Sequence, residues 1–109
     1  MSERAERVGA NEALFRAVNE KIEDLNEAFG ELTGTMAIVC ECGSAGCTEQ
    51  IEVELPFYER IRDDAALFVV VSGHEAPDLE KIVERHEGYD VVRKHDGQPH
   101  EIAEELDPR

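Results

Sequence analysis

Apolar residues recur every three or four positions through the first third of the chain. They are Phe15, Val18, Ile22, Leu25, Phe29 and Leu32, and Val8 and Asn11 extend the row backwards. That period puts one stripe along one face of a helix. Gly30 is a natural stop, with Leu32 packing beyond it, so an N-terminal helix is expected within residues 1–32. Asn11 reads in two ways. It is either the N-cap of a shorter helix or a polar position that fixes register in a coiled-coil seam. The stripe accordingly serves a helix laid across a sheet, or a homodimer formed through that helix.

The period then shortens to two. Residues 35–40 read as a short strand. In residues 50–55, Ile51, Val53 and Leu55 alternate with Glu52 and Glu54, the mark of a strand with one buried face. Pro56 suits the first turn of a helix whose apolar side is Phe57, Tyr58 and Ile61, closed by Asp63 and Asp64. Residues 67–71 run Leu-Phe-Val-Val-Val without alternation, which predicts a central strand covered on both faces. Pro77 is expected to open another helix. Asp78 and Glu80 would sit near its positive end, Leu79, Ile82, Val83 and His86 would form its inner face, and Gly88 would end it. Residues 89–94 read as a last strand. Residues 95–109 read as a loosely held tail, with Ile102 and Leu106 supporting at most a turn or two of helix. The expected architecture is a single α+β domain: a long N-terminal helix, a small and mostly antiparallel sheet of about four strands, and two short helices.

Composition sharpens this picture. A chain of 109 residues with no Trp, two Tyr and four Phe must build its core mainly from Val, Leu and Ile. A domain this small is marginal on hydrophobic burial alone, so a staple would matter to it. Acidic residues outnumber basic ones 26 to 11, a net charge of −15. The nearest thing to a basic cluster is Val92-Arg93-Lys94-His95, so direct nucleic-acid binding is not expected. The acidity serves solubility, or it meets a basic protein partner. The longest apolar run, residues 65–71, is too short to span a bilayer. The charged start Met1-Ser2-Glu3-Arg4 lacks a following apolar region, so no secretory signal is expected and the expected location is cytoplasmic. There thiols stay reduced, which favours metal or redox chemistry over a disulfide.

All three cysteines fall in Cys40-Glu41-Cys42-Gly43-Ser44-Ala45-Gly46-Cys47. Residues two apart on an extended chain point the same way, so Cys40 and Cys42 can aim at one point. Gly43 and Gly46 would permit the positive φ angles of a tight reversal that returns Cys47 to that point. Zinc takes four ligands in a tetrahedron and accepts thiolate and imidazole. If the first and third strands run the same way, His74 arrives at the edge that carries the cysteines. It is therefore preferred over His86, His95 and His100 as the fourth ligand. Glu75, or a backbone carbonyl, would orient the other imidazole nitrogen. The expected cofactor is Zn2+, held in a closed Cys3His set by Cys40, Cys42, Cys47 and His74. Without His74 the position would be open, and Glu41 or Glu75 could act as a base. Phosphate-loop, dinucleotide and nucleophile-elbow motifs are absent from the sequence.

The order of these motifs is Asn11-Glu12, Phe15-Arg16 and Asn19-Glu20, then Cys40-Glu41-Cys42-Gly43 with Cys47. Tyr58-Glu59-Arg60-Ile61-Arg62, Gly73-His74-Glu75 and Tyr89-Asp90-Val91-Val92 follow. That order resembles a group of small uncharacterised bacterial proteins of similar length. The resemblance implies that the knuckle and Gly73-His74-Glu75 form one unit, and it brings no activity with it. Three functions stay open: a zinc-stabilised adaptor or regulator, an enzyme with an open thiolate-metal or reactive-thiol site, and a self-association module using the N-terminal helix.

Overall fold

The computed structural model describes residues 3–28, 34–44 and 46–108. Helix α1 (Glu3–Ala28) leads to the hairpin β1 (Thr35–Val39) and β2 (Gln50–Glu54). Helix α2 (Leu55–Arg62) follows at once. Strands β3 (Leu67–Val71), β4 (Glu80–Arg85) and β5 (Tyr89–Lys94) come next, and α3 (Gln98–Glu105) ends the chain. The fold is α+β, with a long N-terminal helix. The strands form two antiparallel sheets, β1-β2 and β3-β5-β4. Phe29, Gly30 and Leu32, read above as the end of the first helix, lie outside the described residues.

The hairpin follows its alternation. Met36 pairs with Val53 and Ile38 with Ile51, and all four are buried while Glu52 and Glu54 face water. Leu55 and Pro56 open α2, and Tyr58 and Ile61 go fully inside. Strand β3 is covered on both faces, with Phe68, Val69 and Val70 buried. Its place is not central, however: β5 takes the middle of its sheet. The free edge of β3 is covered by the cysteine segment, where the Glu41 N–H donates to the Val69 carbonyl at 2.9 Å.

The helix expected after Pro77 is a strand. Residues 77–79 form a turn, and β4 pairs with β5 in the register Glu80↔Lys94 and Ile82↔Val92, with a bulge between Ile82 and Glu84. Leu79, Ile82 and Val83 suited a helical face, but Ile82 and Val83 are β-branched and β5 offers them a ladder. Gly88, at φ 86°, makes the hairpin turn rather than a helix stop. The tail is also more ordered than expected. Ile102 and Ala103 of α3 are buried, and Arg62 of α2 holds Glu20 of α1 at 2.6 Å and Asp107 at 2.5 Å.

Helix α1 turns only part of its apolar stripe inward: Val8 is buried and Ile22 packs against the core, but Val18 and Leu25 do not. Ala5, Val8, Glu12, Arg16, Asn19 and Glu23 face the body, whereas Leu14, Val18 and Leu25 are exposed. The inward polar row is itself spaced 4-4-3-4 from Val8 to Glu23, the period of one helix face. Glu12 and Arg16 of this row lie against polar groups of the body. Glu12 contacts Lys94 Nζ at 2.5 Å, and Lys94 also contacts Glu80 at 2.7 Å. Arg16 donates to the carbonyls of Ala65 and Leu67 and lies 3.6 Å from the Phe68 ring centroid. Burial pushes the Glu12 carboxyl up to about 8, against the pull of Lys94.

Candidate metal centre

Strand β1 delivers Cys40 to the edge of β3, and the extended residues 40–42 put Cys40 and Cys42 on one side. Glu41, between them, points into the body and is fully buried. Its Oε2 accepts from Asn19 Nδ2 at 2.8 Å and from the Tyr58 hydroxyl at 2.7 Å, while its Oε1 accepts from the Val69 N–H at 3.1 Å. Asn19 also brackets Val39, donating to its carbonyl and accepting from its N–H. The knuckle is thus anchored to α1, α2 and β3 through the residue that separates its first two thiols. Burial first, and then the Glu41 carboxylate, push the Tyr58 hydroxyl up, so it stays a donor.

The reversal after Cys42 uses a different device from the one expected. Gly43 does not take the left-handed region. It lies so close to α1 that an added Cβ would fall 2.2 Å from Val8 Cγ1 and 3.2 Å from Val8 Cα. Asn11, inside α1, donates to the Gly43 carbonyl at 3.0 Å, so it is not an N-cap. Gly73 does turn the chain at φ 91°, in the turn after β3 that carries His74.

Cys40, Cys42, Cys47 and His74 come together, their ligand atoms all within 4.8 Å of one another. His74 Nδ1 lies 3.7 Å from the sulfurs of both Cys40 and Cys47. A sulfur at about 2.3 Å and a nitrogen at about 2.0 Å from one tetrahedral zinc stand about 3.5 Å apart, so these separations fit a shared ion. The opposite nitrogen, Nε2, lies 3.0 Å from Glu49 Oε2. A proton donated from Nε2 to that carboxylate would leave the Nδ1 lone pair facing the sulfurs. Glu49, not Glu75, therefore orients the ring. Glu49 follows Cys47 by two residues, and only the register of the hairpin, with its Cys40 N–H to Glu49 carbonyl bond at 2.9 Å, brings it there.

Backbone donors surround the sulfurs. The Val71 N–H reaches Cys40 Sγ at 3.2 Å. Burial nevertheless pushes the Cys40 and Cys42 thiols up, against the backbone bonds that Val71 and Ser44 make to them. Without a cation the buried pair is held protonated, and a bound cation would supply the missing charge. His86 and His95 lie elsewhere: His86 stacks on Tyr89 with ring centroids 4.8 Å apart, and His95 Nε2 meets the Pro77 carbonyl. His100 lies on α3, 3.8 Å from Glu104.

Comparison with protein-family models, curated proteins and solved structures finds no match. No helix among the described residues is long and apolar enough to cross a membrane.

Proposed function

We infer that the protein is a small zinc-stapled interaction module, in which Cys40, Cys42, Cys47 and His74 hold one structural Zn2+. The observation that carries this reading is the convergence of three thiols and His74 Nδ1, with Nε2 already tied to Glu49. Zinc is favoured over harder cations by three sulfur donors and one imidazole, and over an iron–sulfur cluster because the chain has three cysteines. The staple would tie the β1-β2 hairpin to the turn after β3 and hold the start of α1 through Gly43.

Two features weigh against the enzyme reading. A Cys3His set leaves no open position for water, and Glu41, the base nearest the thiols, already accepts three hydrogen bonds. A reactive thiolate needs a depressed pKa, and burial moves Cys40 and Cys42 the other way. An adaptor role is supported by Leu14, Val18 and Leu25 on the outward side of α1, which are exposed among the described residues. Cobalt substitution tests the metal reading. Co2+ bound as proposed gives the intense visible bands of a tetrahedral thiolate site, altered in His74→Ala. A weak octahedral spectrum, unchanged by His74→Ala, would overturn it.

A further inference from the structure

The three thiols of the knuckle do not meet the solvent alike. Cys40 and Cys42 are buried, at 1% and 3% exposure, whereas Cys47 is half-buried. Cys40 is the most firmly held. Its Sγ accepts from the Val71 N–H at 3.2 Å, and its own N–H donates to the Glu49 carbonyl at 2.9 Å. Its sulfur is thus tied to β3 and its backbone to the hairpin. Cys42 and Cys47 instead flank a short turn, in which the Cys47 N–H donates to the Ser44 carbonyl at 3.1 Å. Gly46 of that turn has nothing within 4 Å of the Cβ position it lacks, so the turn has room to adjust. A cleft of about 590 Å3, lined by Cys42, Ser44 and His74 and facing Asn11 of α1, opens the turn to small solutes.

In the loaded chain the ion itself keeps the sulfurs ionised, because a thiol must lose its proton to ligate. A thiolate is the form that reduces a peroxide, and exposure selects which thiolate reacts first. Here that is Cys47. Its sulfur lies within 4.8 Å of both other sulfurs, so either is near enough to resolve it, and the backbone decides between them. A Cys40–Cys47 bridge would draw Cys40 away from the Val71 N–H. A Cys40–Cys42 bridge would join residues two apart on an extended segment, whose Cα atoms stand about 6.6 Å apart. That is near the upper limit of about 6.8 Å for a disulfide. A Cys42–Cys47 bridge only tightens a turn that holds Gly43 and Gly46.

We propose that the knuckle is a peroxide-sensitive clasp, in which hydrogen peroxide joins Cys42 to Cys47 and expels the ion. The proposal rests on reading the four residues as a zinc site. In the first step the Cys47 thiolate attacks the peroxide. An S–O bond forms, the O–O bond breaks, and hydroxide leaves a sulfenic acid on Cys47. In the second step the Cys42 thiolate attacks that sulfur. The S–S bond forms, the S–O bond breaks, and a second hydroxide leaves. The two sulfurs together give up two electrons and the peroxide takes them. The ion is then left with Cys40 and His74 alone and departs. The turn that carries His74 is no longer tied to the hairpin, so oxidation opens the staple.

The test uses the full chain, and zinc content is measured first. A chain that takes up no zinc would remove the zinc reading and this proposal together. The loaded chain is then treated with hydrogen peroxide, and zinc release is followed with a coloured chelator against a peroxide-free control. The products are alkylated and mapped by mass. The expected result is one zinc released per peroxide consumed and a chain lighter by two hydrogens, with Cys42 bridged to Cys47 and Cys40 alkylated. A dithiol reductant with added zinc restores the loaded form. Cys47→His keeps four nitrogen and sulfur ligands and should release zinc at least about tenfold more slowly. Where that variant fails to bind zinc, the map of the wild-type chain decides. Zinc retained under peroxide, a bridge that includes Cys40, or sulfinic acid in place of a bridge would overturn the clasp and leave the zinc site standing.

Discussion

Glu41→Gln should destabilise the metal-loaded protein severely although it changes no volume. The carboxylate is fully buried and accepts three hydrogen bonds, two at Oε2 and one at Oε1. An amide can accept at only one of those atoms. In the less costly orientation its NH2 faces the Val69 N–H, donor against donor, and leaving that group unsatisfied costs about 1–3 kcal/mol. The bonds from Asn19 and Tyr58 also fall from charge-assisted to neutral, about 1 kcal/mol each. Part of this is offset because an amide is cheaper to bury than a carboxylate. The net expectation is a loss of about 2–4 kcal/mol, or about 10–20 °C in melting temperature for a domain of this size. Tyr58→Phe, which leaves the carboxylate two donors, should lose less, about 1–2 kcal/mol. Urea unfolding at saturating zinc measures both, with the slope m expected to stay unchanged. If Glu41→Gln left the midpoint within about 0.5 kcal/mol of wild type, the three hydrogen bonds would not anchor the knuckle.

Three further outcomes are expected. Gly43→Ala should lower the melting temperature, by about 1–3 kcal/mol of overpacking, because its Cβ meets Val8 at 2.2 Å. Val8→Ala should restore part of that loss, and an unaffected Gly43→Ala melt would contradict the close approach. Glu12, raised to about 8 by burial, is protonated in the folded chain over a range where the unfolded chain has lost the proton. Stability should therefore fall as pH rises from about 4.5 towards about 8, and Glu12→Gln should flatten that slope relative to wild type; parallel slopes in urea titrations would count against it. Metal loading should release protons, because burial keeps Cys40 and Cys42 protonated in the metal-free chain. With those two protons displaced, competitor titrations should show affinity rising up to about a hundredfold per pH unit near neutrality, and a pH-independent affinity would exclude thiolate ligation by this pair.

Much of the site was legible because it depends on local geometry. Cys40 and Cys42 converge through the two-residue repeat of an extended chain, and His74 was reached from strand direction alone. The assumed sheet was nonetheless different. β1 and β3 belong to separate sheets, joined at the knuckle by backbone bonds and the Glu41 side chain. Glu49 was not legible, since it depends on hairpin register. The α+β class and the hairpin were readable from alternation, and α2 from Pro56. Strand β4 was missed because Leu79, Ile82 and Val83 satisfy a helical period, and the ladder with β5 is a tertiary fact. Periodicity predicts helix α1 but only part of its inward face, Val8 and Ile22. Hydrophobic periodicity assumes that apolar side chains face the body. Here Glu12, Arg16 and Asn19 face it instead, each matched to a specific partner. Their own helical spacing was visible in the sequence.

The central claim is tested most directly by the metal content of the natively purified chain, followed by thermal melting with and without a strong chelator. One zinc per chain is expected, with chelation lowering the melting temperature by more than about 10 °C, since the bound ion stabilises only the folded state. Metal-free protein whose melt is identical in the presence and absence of added zinc would contradict it.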